Sequence, residues 1–116
     1  MDMSVEYLSD GLKKINLKGR MDIEGTQAVD LRLSIETSIQ KALIIVDLSL
    51  VEFMASVGLG VLVRSAKALR LRGGNIVLLS PQPVVALVLE KTRINEVISV
   101  YNDLNTASEA LRKINT

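Results

Sequence analysis

Residues 42–60 read ALIIVDLSLVEFMASVGLG. Leu43 to Val46 is a continuous apolar run, the pattern of a strand buried on both faces. Asp47, Leu48 and Ser49 form a polar break, and a short connector from Leu50 to Ala55 is expected to carry the chain to Ser56 at the start of a new helix. A helix start leaves backbone N–H groups without intrahelical partners at the positive end of the helix dipole. A serine there either caps the helix or stands where a phosphate or an anionic partner is readily held.

Working outward, the pattern predicts a helix from Val57 to about Arg70. At about 100° per residue, Leu59, Leu62, Ala66 and Leu69 share one stripe, with Val63 at its edge. Gly60, Arg64, Lys67 and Leu71 share the opposite one. That outward stripe carries two cations and a glycine without a side chain to block approach. It reads either as a solvated helix face or as a docking face for an acidic partner. Gly73-Gly74 ends the helix, residues 75–79 read as the next buried strand, and Pro81 and Pro83 introduce a short helix from Val84 to Glu90. Lys91-Thr92-Arg93 reads as a basic loop, residues 94–101 as an edge strand and Thr106 to Ile114 as a last helix.

Upstream, residues 3–8 and the segment around Leu12, Ile15 and Leu17 read as a hairpin turning at Ser9-Asp10-Gly11. Gly19 to Gly25 is expected to be a loop, with Asp22 suited to turn and cap chemistry. Residues 26–41 place Ala28, Leu31, Ile35 and Ile39 at helical spacing, which predicts an amphipathic helix laying that stripe on the sheet. A strand, a helix and a strand in this order imply a right-handed parallel crossover.

Composition narrows the chemistry. The 116 residues fit one domain, spanning 1–116, and 48% are apolar. A net charge of +1 gives no case for nucleic acid or an acidic membrane surface. The chain has neither cysteine nor histidine, which removes thiol nucleophiles, imidazole acid–base catalysis and the usual zinc sites. No catalytic residues, metal ligands or cofactor are expected, and Gly58-Leu59-Gly60 lacks the rest of a phosphate-loop or dinucleotide fingerprint. No apolar run nears the ~18 residues of a membrane span, so a cytoplasmic, non-enzymatic binding module is the expectation. Leu71 and the 94–101 strand hint at a weak homodimer.

The run Asp47, Leu48, Ser49, Val51, Phe53, Met54, Ser56, Gly58, Leu59, Gly60, Val61, Leu62, Val63 resembles the core signature of the STAS domain, closest to bacterial anti-sigma-factor antagonists. The resemblance implies an α/β STAS fold: a mixed sheet of four to five strands with about four helices, mainly on one face. It implies an anti-sigma factor that is also a serine kinase as partner, with binding that releases a sigma factor and ends when Ser56 is phosphorylated. Asp22, matching the end of a Gly-x-Leu-Asp-like element, then lies near the phosphoacceptor, and Ala55, Ser56, Val57, Gly58, Gly60, Arg64 and Lys67 complete the partner-binding set. The family usually carries an aspartate where this chain has Ala55, and a second hydroxyl where it has Val57. Those departures favour the alternative, a non-phosphorylated adaptor in a signalling assembly or beside a transport ATPase.

Overall fold

The computed structural model describes residues 1–9 and 11–114, without the side chain of Ile114. The elements are β1 (Asp2–Ser9), β2 (Leu12–Met21), α1 (Ile23–Thr37), β3 (Leu43–Met54), α2 (Ser56–Leu71), β4 (Asn75–Leu79), α3 (Pro83–Lys91), a 3-10 turn (Ile94–Glu96), β5 (Val100–Tyr101) and α4 (Leu104–Ile114). The strands form one sheet in the order β1-β2-β3-β4-β5. β1 runs antiparallel to β2, and the remaining neighbours are parallel. Among the described residues the architecture is thus the expected mixed sheet with four helices. The turn between β1 and β2 includes Asp10, which lies outside the described residues.

Three helices cover one face. Val29 and Leu33 of α1, Leu59, Leu62 and Leu69 of α2, and Val85 and Leu89 of α3 pack on Ile15, Ile44, Val46, Leu48 and Leu78. A monotonic strand order with every crossover helix on one side is what right-handed connections produce. On the reverse face α4 places Ala107 and Leu111 over Leu43, Ile45, Val77 and Leu79. The β1–β2 side of that face stays polar, with Asn16 donating to Glu6 at 2.9 Å and Lys14 within 3.2 Å of Asp47. One charge pair lies inside: Lys13 is buried and reaches Glu36 of α1 at 2.8 Å.

The polar break after Val46 is not the end of the strand. β3 continues to Met54, and the residues expected as connector pair with β2: Lys18 with Leu50, Arg20 with Phe53, Met21 with Met54. Two register shifts give β3 an extra residue each time. At the first, the Asp47 carboxylate accepts a hydrogen bond from the Ser49 N–H at 2.8 Å. Bulges of this kind bend and twist a strand without terminating it. β4 pairs with β3 only as far as Asp47, and the Gln82 side chain takes up the Ser49 carbonyl beyond that point at 2.8 Å.

The expected loop at 19–25 is also regular structure. β2 reaches Met21, Asp22 caps α1, and the helix begins at Ile23 and stops at Thr37, earlier at both ends than the apolar spacing suggested. Its buried residues are Gly25, Thr26, Val29, Leu33 and Thr37, whereas Ala28, Leu31, Ile35 and Ile39 face solvent. The predicted stripe is therefore on the wrong side. Small residues on the inner side let α1 lie close: a Cβ on Gly25 would collide with the Arg20 carbonyl. Finally, the edge strand expected at 94–101 shrinks to Val100–Tyr101. Arg93 turns the chain with φ +59°, and the Ile98 N–H bonds back to the Ile94 carbonyl at 2.8 Å.

Candidate functional site

Met21 and Met54 make the last rung between β2 and β3, so the next residues on each strand, Asp22 and Ala55, emerge side by side. The Ala55 N–H donates to the Met21 carbonyl at 3.0 Å, which fixes the two strand ends together. Ala55 is extended (φ −91°, ψ 170°) and is the N-cap of α2; its carbonyl accepts from Gly58 at 3.0 Å and from Leu59 at 3.2 Å. Ser56 is the first helical residue rather than the cap. Its side chain is exposed, and its hydroxyl forms no hydrogen bond with the described residues. Asp22 does cap its helix, accepting from the Gly25 N–H at 2.8 Å. Two helix heads, α1 and α2, thus open at the same end of the sheet, where their dipoles both favour negative charge.

The two glycines of α2 have different causes. A Cβ on Gly58 would lie 2.7 Å from Met21 Cγ and 3.0 Å from its Sδ, so this glycine lets the helix head settle on the buried methionine. Gly60 has nothing within 4 Å of a Cβ and is exposed. Val57 is exposed beside Ser56, and Arg64 and Lys67 are exposed farther along. At ~1.5 Å per residue they stand about 12 and 16 Å along the axis from Ser56, so they do not surround its hydroxyl. Arg64 leans to α1, its guanidinium 3.9 Å from the Asp30 carboxylate.

Two residues outside the predicted set adjoin the site. The Arg20 guanidinium lies 4.5 Å from the centroid of the Phe53 ring, and its Nε is 3.7 Å from the Asp22 carboxylate. Arg20 and Phe53 form one rung of the β2–β3 ladder, which a reading of both segments as loops could not reveal. The available signal was a phenylalanine among three aromatic residues in the whole chain. Ile23 at the start of α1 and Leu50 in β3 are also exposed apolar side chains.

The arrangement can present a hydroxyl and a small docking surface; among the described residues no group of three acidic residues is placed to hold a metal ion. Nor is any described helix long and apolar enough to cross a membrane. Residues 7–107 match the STAS domain family model. The chain belongs to the STAS domain family. It is 35% identical over 66 residues to a Thermotoga maritima protein provisionally named an anti-sigma factor antagonist. That match spans 57% of this chain and 58% of the Thermotoga protein, little more than half of each.

The fold of this STAS domain is that of solved anti-sigma factor antagonists. The Mycobacterium paratuberculosis antagonist superposes with a TM-score of 0.85 at 24% identity, covering 96% of this chain and 93% of that one. The unphosphorylated form of SpoIIAA, a Bacillus cell fate determinant, does so at 0.78 and 20% identity, covering 97% of both chains. Its phosphorylated form gives 0.69 at 18% identity, covering 94% and 99%.

Proposed function

We propose that this STAS domain is an anti-sigma-factor antagonist: it binds an anti-sigma factor that is also a serine kinase, releases the sigma factor, and is switched off by phosphorylation of Ser56. The observation that carries the reading is the Ser56 hydroxyl, exposed, without a hydrogen bond to the described residues and set at the first position of a helix whose head is tied to β2. The kinase supplies the base, the nucleotide and the metal, so the substrate needs only a reachable hydroxyl on a fixed frame. Asp22, Ala55, Val57 and Gly60 form the contact surface around it; Arg64 and Lys67 extend that surface along α2, and Gly58 sets the helix position.

Phosphorylation adds about −1.5 to −2 charges at neutral pH. The helix head stabilises the phosphoserine itself, while a partner packed on the same surface must desolvate it. About 1.4 kcal/mol of that penalty costs tenfold in affinity. The switch acts through the interface, with no refolding. Ala55 leaves Asp22 as the acidic side chain adjoining Ser56, and Asp22 is already engaged by Gly25 and Arg20.

The test is capture of partners from a native lysate by wild type, Ser56→Ala and Ser56→Asp, followed by phosphopeptide mapping after incubation with the captured kinase and ATP. A kinase retained by the first two and lost by the third, with phosphate on Ser56, is the expected result. Equal capture by all three, or phosphate on Ser49 alone, refutes the switch and makes the chain a constitutive adaptor.

A further inference from the structure

Charge is sorted along the strands, which a net charge of +1 conceals. β2 to β5 run parallel, so the sheet has one amino end and one carboxyl end, and Ser56 stands at the carboxyl end. That end is acidic: Asp2, Asp22, Glu24, Glu52 and Asp103 outnumber Lys18 and Arg20. The amino end, where α1, α2, α3 and α4 all finish, carries Lys41, Arg70, Arg72, Lys91, Arg93 and Arg112. Their contacts draw them onto one surface. The Lys41 N–H donates to the Arg72 carbonyl at 2.9 Å, Arg70 reaches Asn75 at the start of β4 and the Val97 carbonyl, and Arg112 donates to the Ser9 hydroxyl at 3.0 Å. The side-chain bonds of Arg70, Arg72 and Arg112 go to neutral groups, and none of the six cations is in an ion pair with a described residue. Of the acids placed there, Glu36 is neutralised by Lys13, Glu90 and Glu96 oppose the cations in part, and Asp10 lies outside the described residues.

Cations near a helix end offset the helix dipole, and that accounts for Arg70, Arg72, Lys91 and Arg112. It does not account for Lys41 and Arg93. Both follow a helix at left-handed backbone, φ +58° and +59°, where glycine fits without strain; Gly73 fills the matching place after α2 at φ +77°. Nor does it account for the apolar side chains among the cations. Leu71, between Arg70 and Arg72, is 88% exposed, Tyr7 75% and Ile39 47%, and Tyr7, Leu8, Ile39 and Lys41 line one hollow.

We propose that this end is a docking surface for an anionic lipid bilayer, on which the domain lies peripherally. Cations interleaved with exposed leucine, isoleucine and tyrosine match a layer of charged headgroups over an apolar interior. A nucleic-acid backbone would engage the cations but set the apolar side chains against charged phosphate, and Tyr7 alone offers a ring for bases to stack on. Peripheral docking of this kind requires no membrane-spanning helix. The rungs from Leu12 to Met21 hold the two ends about 30 Å apart, so a domain docked this way turns the Ser56 head to solvent. The acidic carboxyl end is repelled by the same lipid surface, which reinforces that orientation.

Co-sedimentation with vesicles tests this, using phosphatidylcholine alone and phosphatidylcholine with about one-third phosphatidylserine. Wild type binds the mixed vesicles, ignores the neutral ones and is released as salt rises from about 0.05 M to about 0.5 M. Lys41→Gly and Arg93→Gly each lower partitioning about fivefold, and the double variant lowers it at least about tenfold. Both variants melt no lower than wild type, because glycine suits the backbone at each position. Lys18→Gln, which removes a cation at the opposite end, changes nothing. Leu71→Gln keeps the charge and still lowers partitioning at least about twofold. Equal binding to neutral vesicles, binding to neither, partitioning indifferent to Lys41→Gly or to Leu71→Gln, or tighter binding to duplex DNA than to the mixed vesicles overturns the proposal.

Discussion

Gly58→Ala and Gly60→Ala are the same chemical change two residues apart on one helix, and the structure gives them opposite signs. A methyl on Gly58 meets Met21 Cγ at 2.7 Å, Sδ at 3.0 Å and the Met21 carbonyl at 3.3 Å. The Met21 side chain is fully buried, and its carbonyl is held by the Ala55 N–H. A methionine can rotate away in part, but overpacking a filled core costs about 1–3 kcal/mol. Against this stands a helix-propensity gain of up to about 1 kcal/mol, smaller in a first turn. The net expectation for Gly58→Ala is a loss of about 1–2 kcal/mol. A methyl on Gly60 enters open solvent, so Gly60→Ala gains about 0.5–1 kcal/mol. At roughly 4 °C per kcal/mol for a domain near this size, thermal melts should separate the two variants by about 6–12 °C. A Gly60→Ala melting point below wild type, or a Gly58→Ala one equal to it, refutes the packing argument. The pair also addresses function. If Gly60 exists for docking, Gly60→Ala is more stable than wild type yet captures less partner.

The helix heads give a second contrast: Ser56→Ala should leave stability within about 0.5 kcal/mol of wild type, because its hydroxyl holds nothing. Asp22→Ala removes the α1 cap and should cost about 1 kcal/mol, while Ala55→Ser supplies the missing α2 cap and should return a similar amount; urea titrations read all three. The Asp47 carboxyl is pushed up by burial, but the Ser49 side chain and N–H and the Lys14 ammonium outweigh this and hold it below its ordinary value. A carboxylate lowered on folding stabilises the native state above its unfolded pKa of ~3.9, and that contribution is lost as pH falls through the folded value. Asp47→Asn should therefore be less stable than wild type at neutral pH, with the gap closing below about pH 4; a gap that widens in acid contradicts the sign. Thr26 carries a buried hydroxyl without a partner among the described residues, so Thr26→Val should raise stability by about 1 kcal/mol, and a destabilised variant would mean that the hydroxyl is satisfied.

Much of the fold was legible because local pattern and burial agree along most of the chain. Leu43–Val46, Asn75–Leu79 and the stripe Leu59, Leu62, Ala66, Leu69 are apolar with the right period, and all are core or sheet in the structure. The signature that led to the family also brought Ser56 to a helix head, as the structure has it. Two segments failed for one reason. Asp47-Leu48-Ser49 and Gly19 to Gly25 look like breaks, but hydrogen bonds from the Ser49 N–H to the Asp47 carboxylate and from the Gly25 N–H to the Asp22 carboxylate absorb the irregularity inside regular elements. Periodicity cannot see a bulge, because a bulge exists only relative to the neighbouring strand. The rung that joins Arg20 to Phe53 was hidden with it.

By itself the sequence determined the class: an α/β domain of the STAS family, without histidine or cysteine chemistry, and a serine opening a helix after a buried strand. Those follow from composition, motif and short-range period, which depend on neighbours in the chain. Tertiary structure decided which face each helix buries and which side chains share a surface. In α1 Val29 and Leu33 face inward and Leu31 and Ile35 outward, and at the head of the inner side the Arg20 carbonyl leaves no room for a side chain at Gly25. Ser56 stands free because its neighbour Ala55 is pinned to Met21, a contact 34 residues apart that no local rule could supply.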